Sequence, residues 1–296
     1  MRRIGLVLLL LLAWTAAAAG EEITFKDYGG MLTVAADAQQ IDLGKLKVDN
    51  FDAFEQFLDR LPDLRRVDMY ATHMGRKRVE RLSERYPQIE FGWTLSVGEH
   101  SIRTDQTAFS TLHDGYVTRH TSKELEVLRY CRHLRALDLG HNALTDISFL
   151  AELTELRVLI LADNRIEDIS PLVGMEHLEY VELFRNRVKS LEPLAGKRQL
   201  MDLSINQNRL TSLEPLQEMP WLRRLWLRAC GNEETVLSPA ALEALQAALP
   251  QTQIDAVSLG TDGGWRSHPH YDVVYEMFKG KTYLPFEDSA AAGEQP

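Results

Sequence analysis

Five times between Leu134 and Cys230 the chain repeats one pattern at a spacing of 22 residues, opening at Leu134, Leu156, Leu178, Leu200 and Leu222. Three and five residues after each opening leucine come two more apolar positions: Leu137/Leu139, Leu159/Leu161, Val181/Leu183, Leu203/Ile205 and Leu225/Leu227. Eight residues after it stands Asn142, Asn164, Asn186 or Asn208, and in the last unit Cys230. Alternation over a few residues is the mark of a short half-buried strand. One such strand has no stability alone. Stacking the units at ~5 Å, the spacing of paired strands, makes a parallel sheet backed by one continuous apolar core.

The asparagines follow from the same geometry. An unpaired amide in an apolar interior costs about 1–3 kcal/mol, yet a side-chain amide both donates and accepts. Repeated at every bend, Asn142, Asn164, Asn186 and Asn208, with Cys230 closing the series, read as a structural ladder that satisfies main-chain groups. The second half of each unit carries apolar triplets at three-residue spacing: Leu144, Ile147, Leu150; Ile166, Ile169, Leu172; Val188, Leu191, Leu194; Leu210, Leu213, Leu216. Pro171, Pro193 and Pro215 precede the last leucine of their triplets, which disfavours long α-helices and predicts 3₁₀ turns and loops on that side.

The segments LDLGHNALTDISFL, LILADNRIEDISPL and VELFRNRVKSLEPL resemble the 22-residue leucine-rich repeats of bacterial internalins and of a regulatory subunit of type-1 protein phosphatase. FGWTLSV, TDQTAFST and LRALDLGHN resemble leucine-rich repeat proteins of anaerobic gut-type bacteria. The resemblance to internalin-type repeats covers residues 134–233 and implies an α/β solenoid: a right-handed coil with a parallel β-sheet on the concave face, a 3₁₀ and loop convex side, and βα capping units at both ends. It implies partner binding without naming the partner.

Residues 1–19 have the three parts of a secretory signal: Arg2 and Arg3, the apolar run Ile4 to Trp14, and Ala17 and Ala19 before a cleavage point at Gly20. The apolar run is shorter than the ~20 residues of a membrane-spanning helix. A secreted, periplasmic or cell-envelope location follows. Loss of the two arginines moves the formal charge from −10 to −12, which argues against a nucleic-acid partner. Residues 20–133 read as an N-terminal βα capping region. Within it, Phe51, Phe54, Leu58 and Leu61 lie on one helical face behind Asn50, and a second helix from Arg76 to Tyr86 buries Val79, Leu82 and Tyr86. The arginines of that second helix read as a solvated face. Gly98 to Arg119 reads as a polar, irregular loop anchored by Phe109, Leu112 and Tyr116, and Thr121 with Glu124 as a capping box. Residues 134–233 are the five repeats. Residues 234–287 hold a C-terminal cap, with Ser238-Pro239 opening a helix, and a tail rich in Trp265, Tyr271, Val274, Tyr275, Met277 and Phe278. Residues 288–296 read as disordered.

No catalytic motif emerges, and no cofactor is implied. His268, His270 and Asp272 offer three side chains to a metal, without a second cluster upstream; a metal-dependent hydrolase centred on them is an alternative function. Gly280-Lys281-Thr282 resembles the end of a phosphate-binding loop, but Tyr275 stands where its first glycine is required. Cys131 and Cys230 fall four repeats apart, too far to pair. The residues between the leucine columns are more informative. Val158, Ile160, Tyr180, Glu182, Phe184, Arg224, Trp226 and Arg228 point away from the core, and aromatic residues with arginine in a groove are the composition of binding hot spots. Two fates are open to this face: it binds a protein or peptide partner, or the C-terminal tail folds across it. The partner reading is preferred, with a structural or adhesive envelope protein as a further alternative. Neither the ligand nor the oligomeric state follows from the sequence.

Overall fold

The computed structural model describes residues 20–112, 119–258 and 264–287. The signal-like segment 1–19, the tail 288–296, residues 113–118 of the polar loop, and Gly260 and Gly263 of the glycine-rich turn lie outside the described residues.

Two compact units are present, one ending at Trp93 and the other beginning at Thr94. The first holds an antiparallel hairpin, β1 (Glu22–Asp27) and β2 (Gly30–Ala35), and a small parallel sheet of β3 (Gln40–Asp42), β4 (Arg66–Asp68) and β5 (Glu90–Gly92). Helix α1 (Phe51–Leu58) links β3 to β4, and α2 (Arg76–Arg85) links β4 to β5. Asn50 caps α1 by accepting the Ala53 N–H. The arginine run on α2 is largely matched by acids: Arg81 reaches Glu55 at 2.6 Å and Arg85 reaches Asp59 at 2.7 Å.

The second unit opens with a hairpin, β6 (Thr94–Val97) and β7 (His100–Arg103), and continues through β8 (Ala108–Ser110) and the short helix α3 (Ser122–Leu125), whose capping box is formed by Thr121 and Glu124. The repeats supply β9 (Ala136–Asp138), β10 (Val158–Ile160), β11 (Tyr180–Glu182), β12 (Asp202–Ser204) and β13 (Arg224–Trp226). They pair in parallel with Leu137, Leu159, Val181, Leu203 and Leu225 in register. Among the described residues the sheet has seven strands, because β8 joins at one edge and β14 (Gln253–Asp255) at the other. β8 is a correction: it lies in the stretch expected to be irregular. Phe109 takes the inward leucine position there, paired with Leu137.

On the other side run 3₁₀ turns at Ser148–Glu152, Ser170–Leu172 and Glu192–Leu194, then the one-turn helix α4 (Glu214–Gln217). Proline occupies the first positions of the last three, where its missing N–H costs nothing. Lys197 stands in a column otherwise filled by Cys131, Leu153, Met175 and Met219. It is buried, with its ammonium donating to the Val173 and Met175 carbonyls. Helix α5 (Pro239–Ala248), capped by Ser238, leads into β14. Helix α6 (Pro269–Gly280) follows in the tail.

The asparagines form a chain of bonds between coils. Asn186 Nδ2 donates to the carbonyls of Leu161 at 2.8 Å and Leu183 at 3.1 Å, and its Oδ1 accepts from Ile166 N at 3.0 Å. Asn164 and Asn208 make the equivalent bonds one coil away on either side. Asn142 accepts from His120 N and donates to Thr111 Oγ1, which joins β8 to the series. Each ladder residue follows one in the left-handed region: His141 at φ 56°, Asp163 at 53°, Arg185 at 55°, Gln207 at 53° and Ala229 at 51°. None is glycine, so the coil-to-coil bonds hold a conformation the side chains disfavour locally. Both cysteines are free and buried, and burial pushes the Cys230 thiol up to about 12.

Candidate functional site on the sheet face

Pairing in register turns the outward positions of the strands into two rows. The first runs Ala108, Ala136, Val158, Tyr180, Asp202, Arg224 and Gln253; the second runs Ser110, Asp138, Ile160, Glu182, Ser204, Trp226 and Asp255. Strand alternation alone places these side chains opposite the leucine core.

The sequence leaves two fates open to this face, a separate partner or the C-terminal tail, and prefers the first. The structure instead lays residues 264–287 across it. Tyr180 retains 0% of its exposure, Glu182 0%, Trp226 1% and Arg224 3%, and Val158 and Ile160 are also buried. Phe184 and Arg228, one position further along their coils, are half-buried. The physical reason is the apolar stripe of the tail: Trp265, Val274, Met277, Phe278 and Phe286 form one cluster with Val158, Ile160, Tyr180 and Trp226. The Trp265 ring lies 5.2 Å from that of Trp226 and 5.3 Å from that of Tyr180. Val274, Met277 and Phe278 share one face of α6 by helical spacing.

Polar contacts pin the same segment. Trp265 Nε1 donates to Glu182 Oε1 at 2.7 Å, and Tyr180 Oη donates to the same oxygen. Arg224 Nε donates to Asp202 Oδ1 at 2.7 Å and Arg224 Nη1 to the Trp265 carbonyl at 3.2 Å. His270 Nδ1 bonds the other oxygen of Asp202. At the far end Tyr283 Oη donates to Glu179 Oε2, whose other oxygen accepts from Arg157 at 2.6 Å.

Asp202, Asp138 and Tyr180 are shifted from their ordinary values for identifiable reasons. Burial works to raise the Asp202 carboxyl, but the bonds from His270 and Arg224 outweigh it and hold the group below its usual value. Burial raises Asp138 to about 6, opposed by the Gly140 N–H and reinforced by Glu182. Tyr180 is pushed well above its usual value, by burial first and then by Glu182. Among the described residues, four buried atoms under the tail have no hydrogen-bond partner: Glu182 Oε2, Ser204 Oγ, Arg224 Nη2 and Trp226 Nε1. Each such group costs about 1–3 kcal/mol, and more when charged.

The alternative metal cluster is not assembled. His270 is turned into the sheet towards Asp202, the His268 ring accepts the backbone N–H of His270, and Asp272 is exposed. Among the described residues no group of three or more His, Cys, Asp or Glu is placed to hold a metal. No helix among them is long and apolar enough to cross a membrane. The sequence pointed to the tail's apolar content but not to the roles of Asp138, Asp202 and His270. An acid between leucines at a strand position, as in Leu137-Asp138-Leu139, was the one available signal.

The family described as Leucine Rich repeats (2 copies) matches residues 154–196, and the family described as Leucine Rich repeat matches residues 130–148. The coils of this chain are leucine-rich repeats. No curated protein matches the sequence. Among solved structures, internalin C2 of Listeria monocytogenes is 21% identical with a TM-score of 0.38, over 75% of this chain and 80% of that one. An internalin, inlF, of the same organism is 17% identical with a TM-score of 0.34, over 77% of this chain and 64% of that one. A leucine-rich repeat protein of Leptospira interrogans is 19% identical with a TM-score of 0.38, over 73% of this chain and 54% of that one. Repeats of this kind commonly serve as scaffolds for protein–protein contact, each coil stacking on the next along one sheet.

Proposed function

We propose that the protein is an exported bacterial interaction module without catalytic function, which engages a protein or peptide partner through the sheet face built by Val158, Ile160, Tyr180, Glu182, Phe184, Arg224, Trp226 and Arg228. The observation that supports this reading most is the chemistry of that face. Aromatic rings, an arginine and carboxylates stand side by side on adjacent strands, the composition of a recognition surface rather than of a packed core. In the folded chain the tail occupies the face, so recognition involves the tail or its displacement. Export is supported by the signal-like residues 1–19.

Phe184 and Arg228, half-buried at the margin of the face, are the places to test it. A photo-crosslinker at either position is expected to capture a partner from envelope and culture fractions. The same group at the exposed outer residues Glu167 or Lys189 is expected to capture none. Capture from the outer positions alone would move the site off the sheet. A mature N-terminus other than Gly20, or retention of residues 1–19, would count against export by cleavage.

A further inference from the structure

The layer between the tail and the sheet is unlike the leucine core on the sheet's other side. Glu182, Ser204 and Trp226 are in register on three consecutive strands, and each keeps a buried polar atom that the tail leaves unmet. Arg224 Nη2, one row over, is the fourth. A tail whose only task was to shield the sheet would be served better by apolar residues at these positions, since each unmet atom weakens its hold. The bonds it does make have the form of ligand recognition: an indole N–H on Glu182, an imidazole on Asp202, a main-chain carbonyl on Arg224, and an apolar helical stripe beyond.

Resting on the sheet-face reading above, we infer that residues 264–287 are an intramolecular ligand, holding the groove against a partner's peptide segment of the same chemistry. That segment carries an indole ahead of an amphipathic helix and an imidazole in the helix's first turn, as Trp265 precedes α6 and His270 opens it before Val274, Met277 and Phe278. The charges fit: Asp138, Glu182 and Asp202 make the floor acidic, with Arg224 the one basic group in its two rows. A partner that also meets Glu182 Oε2, Ser204 Oγ, Arg224 Nη2 or Trp226 Nε1 gains contacts the tail lacks, and this differential displaces the tail. The face is then a recognition groove with a built-in competitor.

The probe is a fluorescent synthetic peptide of residues 264–287, titrated into the full-length protein. The parent is expected to bind it weakly, because the tethered copy competes at high effective concentration. A Met277→Ala/Phe278→Ala variant, altered only in the tail, is expected to bind it at least ~10-fold more tightly. Adding Glu182→Gln to that variant is expected to weaken binding ~10-fold again, and a scrambled peptide to bind neither. Equal binding to parent and variant, or indifference to Glu182→Gln, would overturn the proposal. Should the tail variant fail to fold, hydrogen exchange on the parent decides. Amides of α6 are expected to open well before those of β10 to β12, and exchange together with those strands would show a permanent core. Concentration-dependent dimers of the tail variant would overturn it in favour of a second copy as occupant. Crosslinking from Phe184 or Arg228 that persists while the peptide fails would sink this inference alone and leave the sheet-face reading standing.

Discussion

Asp202→Asn tests the buried charge network with the least change of shape. The carboxylate is 0% exposed, accepts Arg224 Nε at 2.7 Å and bonds His270 on α6. The amide keeps the volume but removes the charge, and its NH₂ must face either the guanidinium or the imidazole. Breaking one partner of a buried pair costs about 3–5 kcal/mol, because the remaining charge stays buried without compensation. With a urea slope of ~2–3 kcal/mol/M for a unit of this size, the midpoint should fall by about 1–2.5 M. Urea unfolding followed by tryptophan fluorescence is a suitable assay, since Trp226 and Trp265 both lie at the network. The companion Asp202→Asn/Arg224→Met is expected to recover part of the loss, because replacing both partners removes the orphaned charge. A single-variant loss under ~1 kcal/mol, or strict additivity in the double variant, would refute the account of the network as a mutually dependent unit.

Asn186→Ala removes the bonds to Leu161 O, Leu183 O and Ile166 N and should cost about 2–4 kcal/mol by the same unfolding assay; a cost near zero would mean water replaces the ladder amide. Asp138 is held at about 6 against an ordinary 3.8, so its contribution is fully present below pH ~4 and is lost as pH rises through 6, ~3 kcal/mol in all. Asp138→Asn should flatten stability between pH 4 and 7, and an unchanged profile would count against that shift. Asp202 runs the other way, contributing above its ordinary value and losing that contribution as pH falls, so Asp202→Asn should blunt acid unfolding. At Gly231 an added Cβ would stand 2.7 Å from Leu210 O, a main-chain atom that cannot swing aside, so Gly231→Ala should lose about 1–3 kcal/mol in thermal unfolding; full stability would show that the bridge there relaxes.

The 22-residue period by itself determined the coil. Contacts in such an array run between one unit and the next, so a fixed spacing of Leu137, Leu159, Val181, Leu203 and Leu225 states their pairing outright. It also determined which residues stand outward, because strand alternation leaves no choice once the leucines face in. Tertiary structure alone decided three other things. β8 joined the sheet outside the repeat, recruited by Phe109 and by the Asn142 bond to Thr111, and neither Phe109 nor Thr111 carries the 22-residue signature. His141, Asp163, Arg185 and Gln207 took left-handed backbone that their side chains do not favour, held there by bonds to the following coil. The fate of the outward face was decided by Trp265 and His270, which meet Glu182 and Asp202 from 83 and 68 residues away. Such contacts have no period and no local propensity. Whether an apolar tail or open water covers a sheet is a competition between distant surfaces, and it is settled only when both are folded.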